Sequence, residues 1–357
     1  MGLPVYKGAD LVGKALDCLQ RQTFGNFEAI ISVDGNDSET AAACRPFLTD
    51  PRFRMVVHPQ RLDWVGNFNW LLQQNLHEFF CYRQHDDTTA PEFFEVLLRA
   101  ADAQPKAAAI YCDCQLSGAR SDLDIAPSIE GEPLDRMIQY IECCISSAAQ
   151  VRGLIRRAAI QQAGLVRYDE FRAPLEVFVW LAKLLRWGNF KRIAEPLYYR
   201  LDHPRSFTSE YDNLAEDRKR AIWTTLFTGL LDAAMPLCHA PEERLFFQQT
   251  IIDLIVVYRT RKEPSSSGRL MTECLERLRQ EGNTHLLSPT ELPQILQGLQ
   301  RRMDEIKLLE RSRIRGAIYR IRRHSRIARL IYPSSRKQRT IYQIRHALER
   351  VRNKIRR

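Results

Sequence analysis

Two adjacent carboxylates, Asp86 and Asp87, follow a short apolar run in the segment FFCYRQHDDTTAPEFF. A fold keeps neighbouring carboxylates close when a cation lies between them or when water solvates both. At the end of a buried strand, such a pair could hold a hard divalent cation, which prefers oxygen ligands and bridges to phosphate oxygens. The alternative is a pair of solvated loop charges, and the local sequence leaves both interpretations open.

A third carboxylate, Asp34, comes at the end of the apolar run FEAIISVDG. A carboxylate accepts hydrogen bonds and donates none, so this side chain could accept one from a nucleobase or a ribose. The alternative is a simple turn residue, because Asp34 also opens the turn-like sequence DGND.

The elements that must position these side chains alternate between strand and helix. Expected strands are residues 3–6, FEAIISV, FRMVVH, FFCYRQ and AAIYCDC, and amphipathic segments separate them. This alternation predicts an α/β fold with a Rossmann-like, mostly parallel central sheet. In such sheets ligands bind at the carboxyl ends of the strands, where all three carboxylates fall. From about residue 210 onward the pattern is helical.

The charge of the chain is unevenly distributed. Residues 311–357 contain 17 Lys and Arg against one acidic residue, Glu349, whereas the rest carries 36 basic and 42 acidic residues. Apolar residues recur at helical spacing on both sides of YPSSRK, which predicts two basic amphipathic helices. Three roles are open for this basic tail: binding an anionic membrane, packing on the body or a partner chain, and binding nucleic acid. The membrane is favoured, and nucleic acid is least expected because no recognised motif accompanies the charge.

The cysteines indicate a reducing compartment. Nine are scattered without a CxxC pair, so neither zinc spacing nor a disulfide framework is expected, and buried thiols are predicted instead. No signal peptide is expected before MGLPVY, and the richest apolar run, TIIDLIVVY, is too short to span a bilayer. We therefore expect a cytoplasmic protein, peripheral to the inner face of the membrane if the tail binds there.

Five blocks of the sequence resemble the family 2 glycosyltransferases, which have the GT-A fold. In order they are GLPVYKGADLVGKALDCLQRQTFGNFEAIISVDGNDSET, DPRFRMVVHPQRLDWVGNFNWLL, HDDTTAPEFFEVLL, VRGLIRRAAIQQAGLV and EPLYYRLDHPRSFTS. The resemblance implies a GT-A domain over residues 1–209, and a helical extension over 210–310 and the basic tail would follow it. It also implies inverting transfer of a sugar from a nucleoside diphosphate, with manganese or magnesium as cofactor.

The resemblance assigns donor-binding roles by position. Asp87 matches the metal ligand, and Asp86 a contact to the ribose or the sugar of the donor. Asp34 matches the carboxylate that contacts uracil, and the backbone of Pro4 and Tyr6 would line the base pocket.

Further positions fit the family less closely. His203 matches a recurring His that could complete the metal site or touch the diphosphate, as could Arg200 or Arg205, although a lone His is also a common loop or core residue. Asn67 is a candidate donor contact, with the alternative that Asn67 and Asn69 organise the strand–helix turn.

The candidate general base departs from the pattern of the family. The family places an acidic pair, usually Glu-Asp, on a helix, whereas this chain has Glu176 followed by Val177. Glu176 is the candidate base that would deprotonate the acceptor hydroxyl. Its rival interpretations are a helix N-terminal charge, a one-residue shift in the alignment, and the weaker candidates Asp169 and Glu170.

Two functions of different classes follow. The first is a metal-dependent glycosyltransferase, with a nucleotide-sugar donor that is UDP-linked and a glycan or lipid-linked acceptor, acting in the synthesis of a surface polysaccharide. The second is a non-catalytic sugar-nucleotide-binding module that docks a membrane or a partner through its basic tail, which Val177 motivates. A nucleotidyltransferase is disfavoured, because no Gly- and Lys-rich triphosphate loop lies near the N-terminus.

Overall fold

A computed structural model describes residues 1–118, 121–143, 149–168, 175–203 and 214–238. All of them lie within the first of the two units into which the chain divides, Met1–Pro293. The basic tail and most of the helical extension lie outside the described residues, as do Asp169, Glu170 and Arg205. The proposed boundaries at 209 and 310 therefore stay predictions.

The N-terminal part is a three-stranded parallel sheet with the strand order β1-β2-β3. Its elements are β1 (Gly2–Val5), α1 (Val12–Gln20), β2 (Ala29–Val33), α2 (Ser38–Cys44) and β3 (Phe53–Val57). All five residues of the central strand β2 are buried, because helices cover both faces of a parallel sheet. A continuous apolar run such as AIISV is the sequence that such a strand requires.

The second sheet mixes parallel and antiparallel pairs in the order β4-β8-β6-β9-β5, with β7 paired to β6. Its strands are β4 (Phe79–Cys81), β5 (Thr88–Thr89), β6 (Ala107–Gly118), β7 (Leu123–Asp124), β8 (Leu154–Arg156) and β9 (Asn189–Asp202). The long strands β6 and β9 run parallel, with register shifts near Cys112 and Asp113. The predicted α/β, Rossmann-like fold is confirmed, and the antiparallel pairs are an addition to it.

Six helices surround these strands in the described part of the chain beyond β3. They are α3 (Asp63–Gln74), α4 (Phe93–Ala103), α5 (Pro133–Cys143), α6 (Arg157–Ala163), α7 (Glu176–Leu184) and α8 (Glu216–Ala234). Aromatic side chains join α3 to α7, since the ring of Phe68 lies 5.5 Å from that of Trp180. Within the described ranges, none of the helices has the length and apolarity that crossing a bilayer requires.

The two sheets meet at β1. Gly2 forms a parallel bridge with Tyr82, and the Arg83 N–H donates to the Gly2 carbonyl at 3.0 Å. Strand β4 therefore runs beside β1 in the same direction. The carboxyl ends of β2, β1 and β4 consequently lie along one edge, where the predicted site residues follow each strand.

The described thiols match the prediction of buried, reduced cysteines. Six of them are free and buried: Cys18, Cys44, Cys81, Cys112, Cys114 and Cys238. Burial raises the pKa of Cys44 to about 11 and that of Cys112 to about 12. Such thiols stay protonated at neutral pH and are poor nucleophiles.

Candidate active site at the carboxyl edge of the strands

The loop after β1 touches the turn after β4. A Cβ placed on Gly8 would lie 2.5 Å from the Cδ2 atom of His85, so only glycine leaves room for this ring. The same loop is tied to α2, because Asp37 accepts from the Lys7 N–H at 2.8 Å. The segments that follow β1, β2 and β4 therefore form one contiguous surface.

Asp34 is buried, with 4% of its surface exposed, at the end of β2. Its Oδ1 accepts from the Leu62 N–H at 2.6 Å, and its Oδ2 faces the Arg61 Nε at 4.0 Å. The segment before α3 thus wraps over this carboxylate. Asp34 is fixed by backbone and is not a freely solvated turn charge.

Tyr6 lies beside Asp34 and is covered by the same arginine. The Arg61 guanidinium carbon is 3.9 Å from the centre of the Tyr6 ring, and its Nη1 donates to the Tyr6 hydroxyl at 3.2 Å. Pro4 lies inside β1 and pairs with Ser32 of β2. Pro4, Tyr6 and Asp34, which the sequence assigned to one base pocket, are therefore neighbours.

Asn67 is engaged with strand β2. Its Oδ1 accepts from the Ser32 hydroxyl at 2.5 Å, and its Nδ2 donates to the Ser32 carbonyl at 3.1 Å. Asn69 likewise bonds the backbone of Val166 through both amide atoms. These contacts are those of residues that organise the strand–helix turn, and the donor contact predicted for Asn67 stays a prediction.

Asp86 and His203 form a direct pair, with the His203 Nε2 2.9 Å from the Asp86 Oδ2. Both side chains are mostly buried yet still reach solvent. The sequence prediction grouped His203 with Asp87, whereas the structure brings it to Asp86. A carboxylate and an imidazole at a strand edge can bind a cation together or orient each other for a ligand.

Asp87 is almost completely buried, and the protein occupies its oxygens. The Tyr198 hydroxyl donates to Oδ2 at 2.7 Å, and the Leu201 N–H donates to Oδ1 at 3.1 Å. Burial, and then the charge of Asp86, raise the pKa of Asp87, while Arg152 and the two hydrogen bonds oppose this shift. These contacts tie Asp87 to the end of β9, two residues before His203.

Two buried arginines accompany Asp87, and the sequence analysis missed both. The Arg152 Nε lies 3.8 Å from the Asp87 Oδ2. Arg83 is fully buried between the rings of Phe93 and Tyr198 and donates from Nη2 to the Thr89 hydroxyl at 3.0 Å. No pattern in the sequence signals them, because a basic residue at the end of a strand is normally solvated.

Glu176 is the first residue of α7 and is buried, with 2% exposure. The Arg167 guanidinium binds both of its oxygens, at 3.0 and 3.1 Å. Its place at the helix N-terminus also suits a negative charge. Glu176 is thus a carboxylate oriented by Arg167, and the contacts leave both the base and the structural interpretation open.

Residues that could hold a divalent cation are few. In the part of the chain that the structure describes, no cluster of three or more His, Cys, Asp or Glu side chains is arranged to hold a metal. The Asp86–His203 pair offers one carboxylate oxygen and one imidazole nitrogen. This donor set fits a cation that completes its coordination with substrate phosphates and water.

Comparisons with known proteins agree with this architecture. Residues 2–117 match the model of the family described as "Glycosyl transferase family 2". Among solved structures, S. aureus TarS 1–349 in complex with UDP-GlcNAc is similar at 13% identity and a TM-score of 0.51, over 86% of this chain and 90% of that one. At such identity the likeness concerns the fold alone.

Two further structures are similar at lower scores. S. aureus TarS has 15% identity and a TM-score of 0.48, over 75% of this chain, and the chain spans only 50% of TarS. The mannosyltransferase PcManGT from Pyrobaculum calidifontis, in complex with GDP-Man and Mn2+, has 12% identity and a TM-score of 0.47, over 87% of each chain. The family match and this sheet architecture together identify residues 2–117 as part of a glycosyl transferase family 2 domain with a fold of the GT-A type.

Proposed function

We propose that this chain transfers a sugar from a nucleoside diphosphate to a glycan or lipid-linked acceptor, with inversion at the anomeric carbon. The observation that carries the proposal is the edge of the sheet, where Tyr6, Asp34 and Asp86 follow the neighbouring strands β1, β2 and β4 and His203 bonds Asp86. These residues, apart from His203, lie within the part that matches family 2. The nucleobase of the donor would lie at Tyr6 and Asp34, and the diphosphate of the donor would lie toward Asp86. A uridine donor is the first choice, and UDP-GlcNAc, with which TarS 1–349 was solved, is the first compound to test.

Manganese or magnesium is part of the proposal. Asp86 and His203 would hold the cation, which when bound neutralises the charge that develops on the departing diphosphate. Asp87, which the sequence predicts as the metal ligand, has a positioning role in this proposal, because its bonds to Tyr198 and Leu201 hold the end of β9. In this proposal Asp87 acts through His203, because it holds the end of β9 that carries the imidazole.

The chemical step requires a base on the acceptor side. In a single displacement, the acceptor hydroxyl oxygen forms a bond to the anomeric carbon while the bond from that carbon to the diphosphate oxygen breaks. The diphosphate leaves with the electron pair, and Glu176 would take the hydroxyl proton. The two hydrogen bonds from Arg167 orient the Glu176 carboxylate, as a base must be oriented before it accepts a proton.

The basic tail, residues 311–357, would bring the enzyme to a lipid-linked acceptor. Each Lys or Arg near an anionic surface contributes about 1 kcal/mol of binding, so a few of the 17 would suffice. Vesicle co-sedimentation tests this part of the proposal. We expect the chain to sediment with vesicles that contain phosphatidylserine and to stay in solution with purely zwitterionic ones, and equal binding to both would contradict it.

A panel of UDP-, GDP-, CDP- and dTDP-sugars, each with and without manganese, tests the activity. We expect one donor class to raise the melting temperature and to be hydrolysed slowly in the absence of acceptor. Glu176→Gln should keep donor binding and lose hydrolysis, whereas Glu195→Gln, an exposed control on β9, should keep both. Equal turnover in the wild type and in Glu176→Gln would mean that another residue is the general base.

The second candidate is a non-catalytic module that binds a sugar nucleotide. Val177 stands beside Glu176 where the family has an Asp, and Arg167 holds both oxygens of Glu176. This module would bind a nucleotide and dock a membrane or a partner through the tail. Donor binding without turnover, across all donors and a range of acceptors, would favour it over the enzyme.

A further inference from the structure

The end of strand β9 presents side chains on an exposed face of the second sheet. Residues 198–202 of β9 pair with residues 114–118 of β6 without a register shift. Successive side chains of a strand point to opposite faces, and here Tyr198 is 1% exposed whereas Tyr199 is 39% exposed. Tyr199 and Leu201, two residues apart, therefore lie together on the face that solvent reaches.

The neighbouring strands extend this face. Thr88 of β5 and Gln115 of β6 are the register partners of Tyr199, and Leu123 of β7 is the partner of Gln115. The side chains of register partners lie side by side on the same face, and Leu123 is 43% exposed there. The open face of the sheet consists of Thr88, Gln115, Ser117, Leu123, Tyr199 and Leu201.

The open face ends at the Asp86–His203 pair. His203 lies two residues after Leu201, and Asp86 lies two residues before Thr88. The His203 Nε2 is 2.9 Å from the Asp86 Oδ2, so the two strands that carry the face converge on this pair. Four residues of strand, about 13 Å, separate Tyr199 from His203. A chain-like ligand on the open face would therefore point one end at the pair.

The side chains of the open face indicate the chemistry of that ligand. None of the six is charged, so this face offers no guanidinium or ammonium group to a phosphate or a carboxylate. An aromatic ring and two leucines lie beside hydroxyl and amide groups, and the Gln115 Nε2 is fixed by a bond to the Ser121 carbonyl at 2.9 Å. Pyranose rings have the complementary surface, with C–H groups that pack on an aromatic face and hydroxyls that form hydrogen bonds.

We propose that the open face is a binding subsite for an uncharged saccharide chain of the acceptor. This inference rests on the proposed function, because it places the acceptor beside the pair that would bind the diphosphate of the donor. The saccharide would pack on Tyr199 and Leu123, and its end would lie toward His203. The body of the enzyme would thus recognise the glycan part of the acceptor, and any lipid part would be left to other regions of the chain.

An array of uncharged and acidic glycans, probed with the full-length chain with and without UDP and manganese, tests the proposal. We expect uncharged oligosaccharides to bind, and Tyr199→Ala to weaken that binding about 3-fold to 10-fold, the range for one aromatic contact. Leu123→Ser, on a different strand, is an independent variant and should weaken binding by a smaller factor. Trp187→Ala and Leu76→Ser, exposed controls outside the open face, should bind as the wild type does.

The outcomes that contradict the proposal are distinct. If the wild type binds no glycan, or prefers acidic glycans, the open face is not a subsite for an uncharged saccharide. If Tyr199→Ala weakens binding no more than Trp187→Ala does, the glycan lies elsewhere. Glycan binding without UDP does not depend on the donor, so a failure of the proposed function would appear separately, as a chain that binds no sugar nucleotide.

Discussion

His203 Nε2 lies 2.9 Å from Asp86 Oδ2, although 117 positions separate the two residues in the chain. Asp86 follows β4, and His203 follows β9 at the other side of the β6 and β8 strands. The pair exists because Asp87, next to Asp86, binds the Leu201 N–H and the Tyr198 hydroxyl of β9. Asp87 thus binds strand β9, and Asp86 binds the imidazole of His203, which directly follows that strand.

Changing either member of this pair should weaken cation-dependent donor binding. For Asp86→Asn and His203→Gln we expect the manganese concentration that half-saturates UDP binding to rise at least about tenfold, since each removes one proposed ligand. Titration of manganese at fixed UDP, followed by calorimetry, measures this. Asp102→Asn, an exposed control at the end of α4, should behave as wild type, and an unchanged manganese requirement in both variants would rule out this pair as the cation site.

Tyr198→Phe should destabilise the fold, because it removes a hydrogen bond to a buried carboxylate. We expect a loss of about 1–3 kcal/mol in the free energy of unfolding, measured by urea denaturation. Tyr199→Phe is a matched control on the next residue of β9, where the side chain is partly exposed, and it should change stability by less than about 0.5 kcal/mol. Similar losses in both variants would mean that the hydroxyl bond to Asp87 contributes little.

Much of this site could be predicted from the sequence, because short segments of the chain define the strands and the residues that follow them. Apolar runs such as AIISV define buried strands, and a carboxylate directly after each run must lie at the edge of the sheet. Asp34, Asp86 and Asp87 were found in this way. Pro4 and Tyr6 were predicted from the family resemblance, and in the structure both lie close to Asp34.

The features that could not be predicted from the sequence depend on contacts between residues that are far apart in the chain. Strand β9 was not recognised as a strand, because EPLYYRLDHP contains two prolines and charged residues that alternate poorly. The partner of His203 and the burial of Arg83 depend on how β9 packs, and no short window of sequence contains that information. Asp63 has a positive φ, a conformation that favours glycine, so the residue type does not predict it and only the folded start of α3 shows it.

The ion pair between Arg167 and Glu176 should contribute to stability. Arg167→Gln leaves a buried carboxylate with a weaker partner, and we expect a cost of about 1–3 kcal/mol, limited because a third of Arg167 is exposed. Denaturant unfolding of both single variants and of Arg167→Gln/Glu176→Gln gives the coupling energy.

In that cycle the double variant should lose less than the sum of the single losses. Lys183→Gln, on the same helix, serves as a control for the loss of a basic residue near α7. Strict additivity of the two single changes would mean that the pair is not coupled and that Glu176 is held by other contacts.

His58 should make the stability of the chain depend on pH. Burial lowers the pKa of His58 below its usual value of about 6.5, and the nearby charge of Asp34 opposes this shift only in part. The Ser32 hydroxyl donates its proton to Asn67, so it accepts from the His58 Nε2–H at 2.8 Å, a bond that the neutral imidazole already makes.

Because the folded state disfavours protonated His58, the unfolded chain binds more protons as the pH falls below about 6.5. The contribution of His58 to the free energy of unfolding should therefore be complete above pH 6.5. It should decrease as the pH falls from 6.5 to the pKa of His58 in the folded state. Urea denaturation at several pH values between 5 and 8 measures this, and His58→Gln should flatten the slope. Gln73→Ala, an exposed control on α3 that removes no titratable group, should keep the slope of the wild type. If the two variants show the same slope, the burial of His58 is not what makes the fold sensitive to acid.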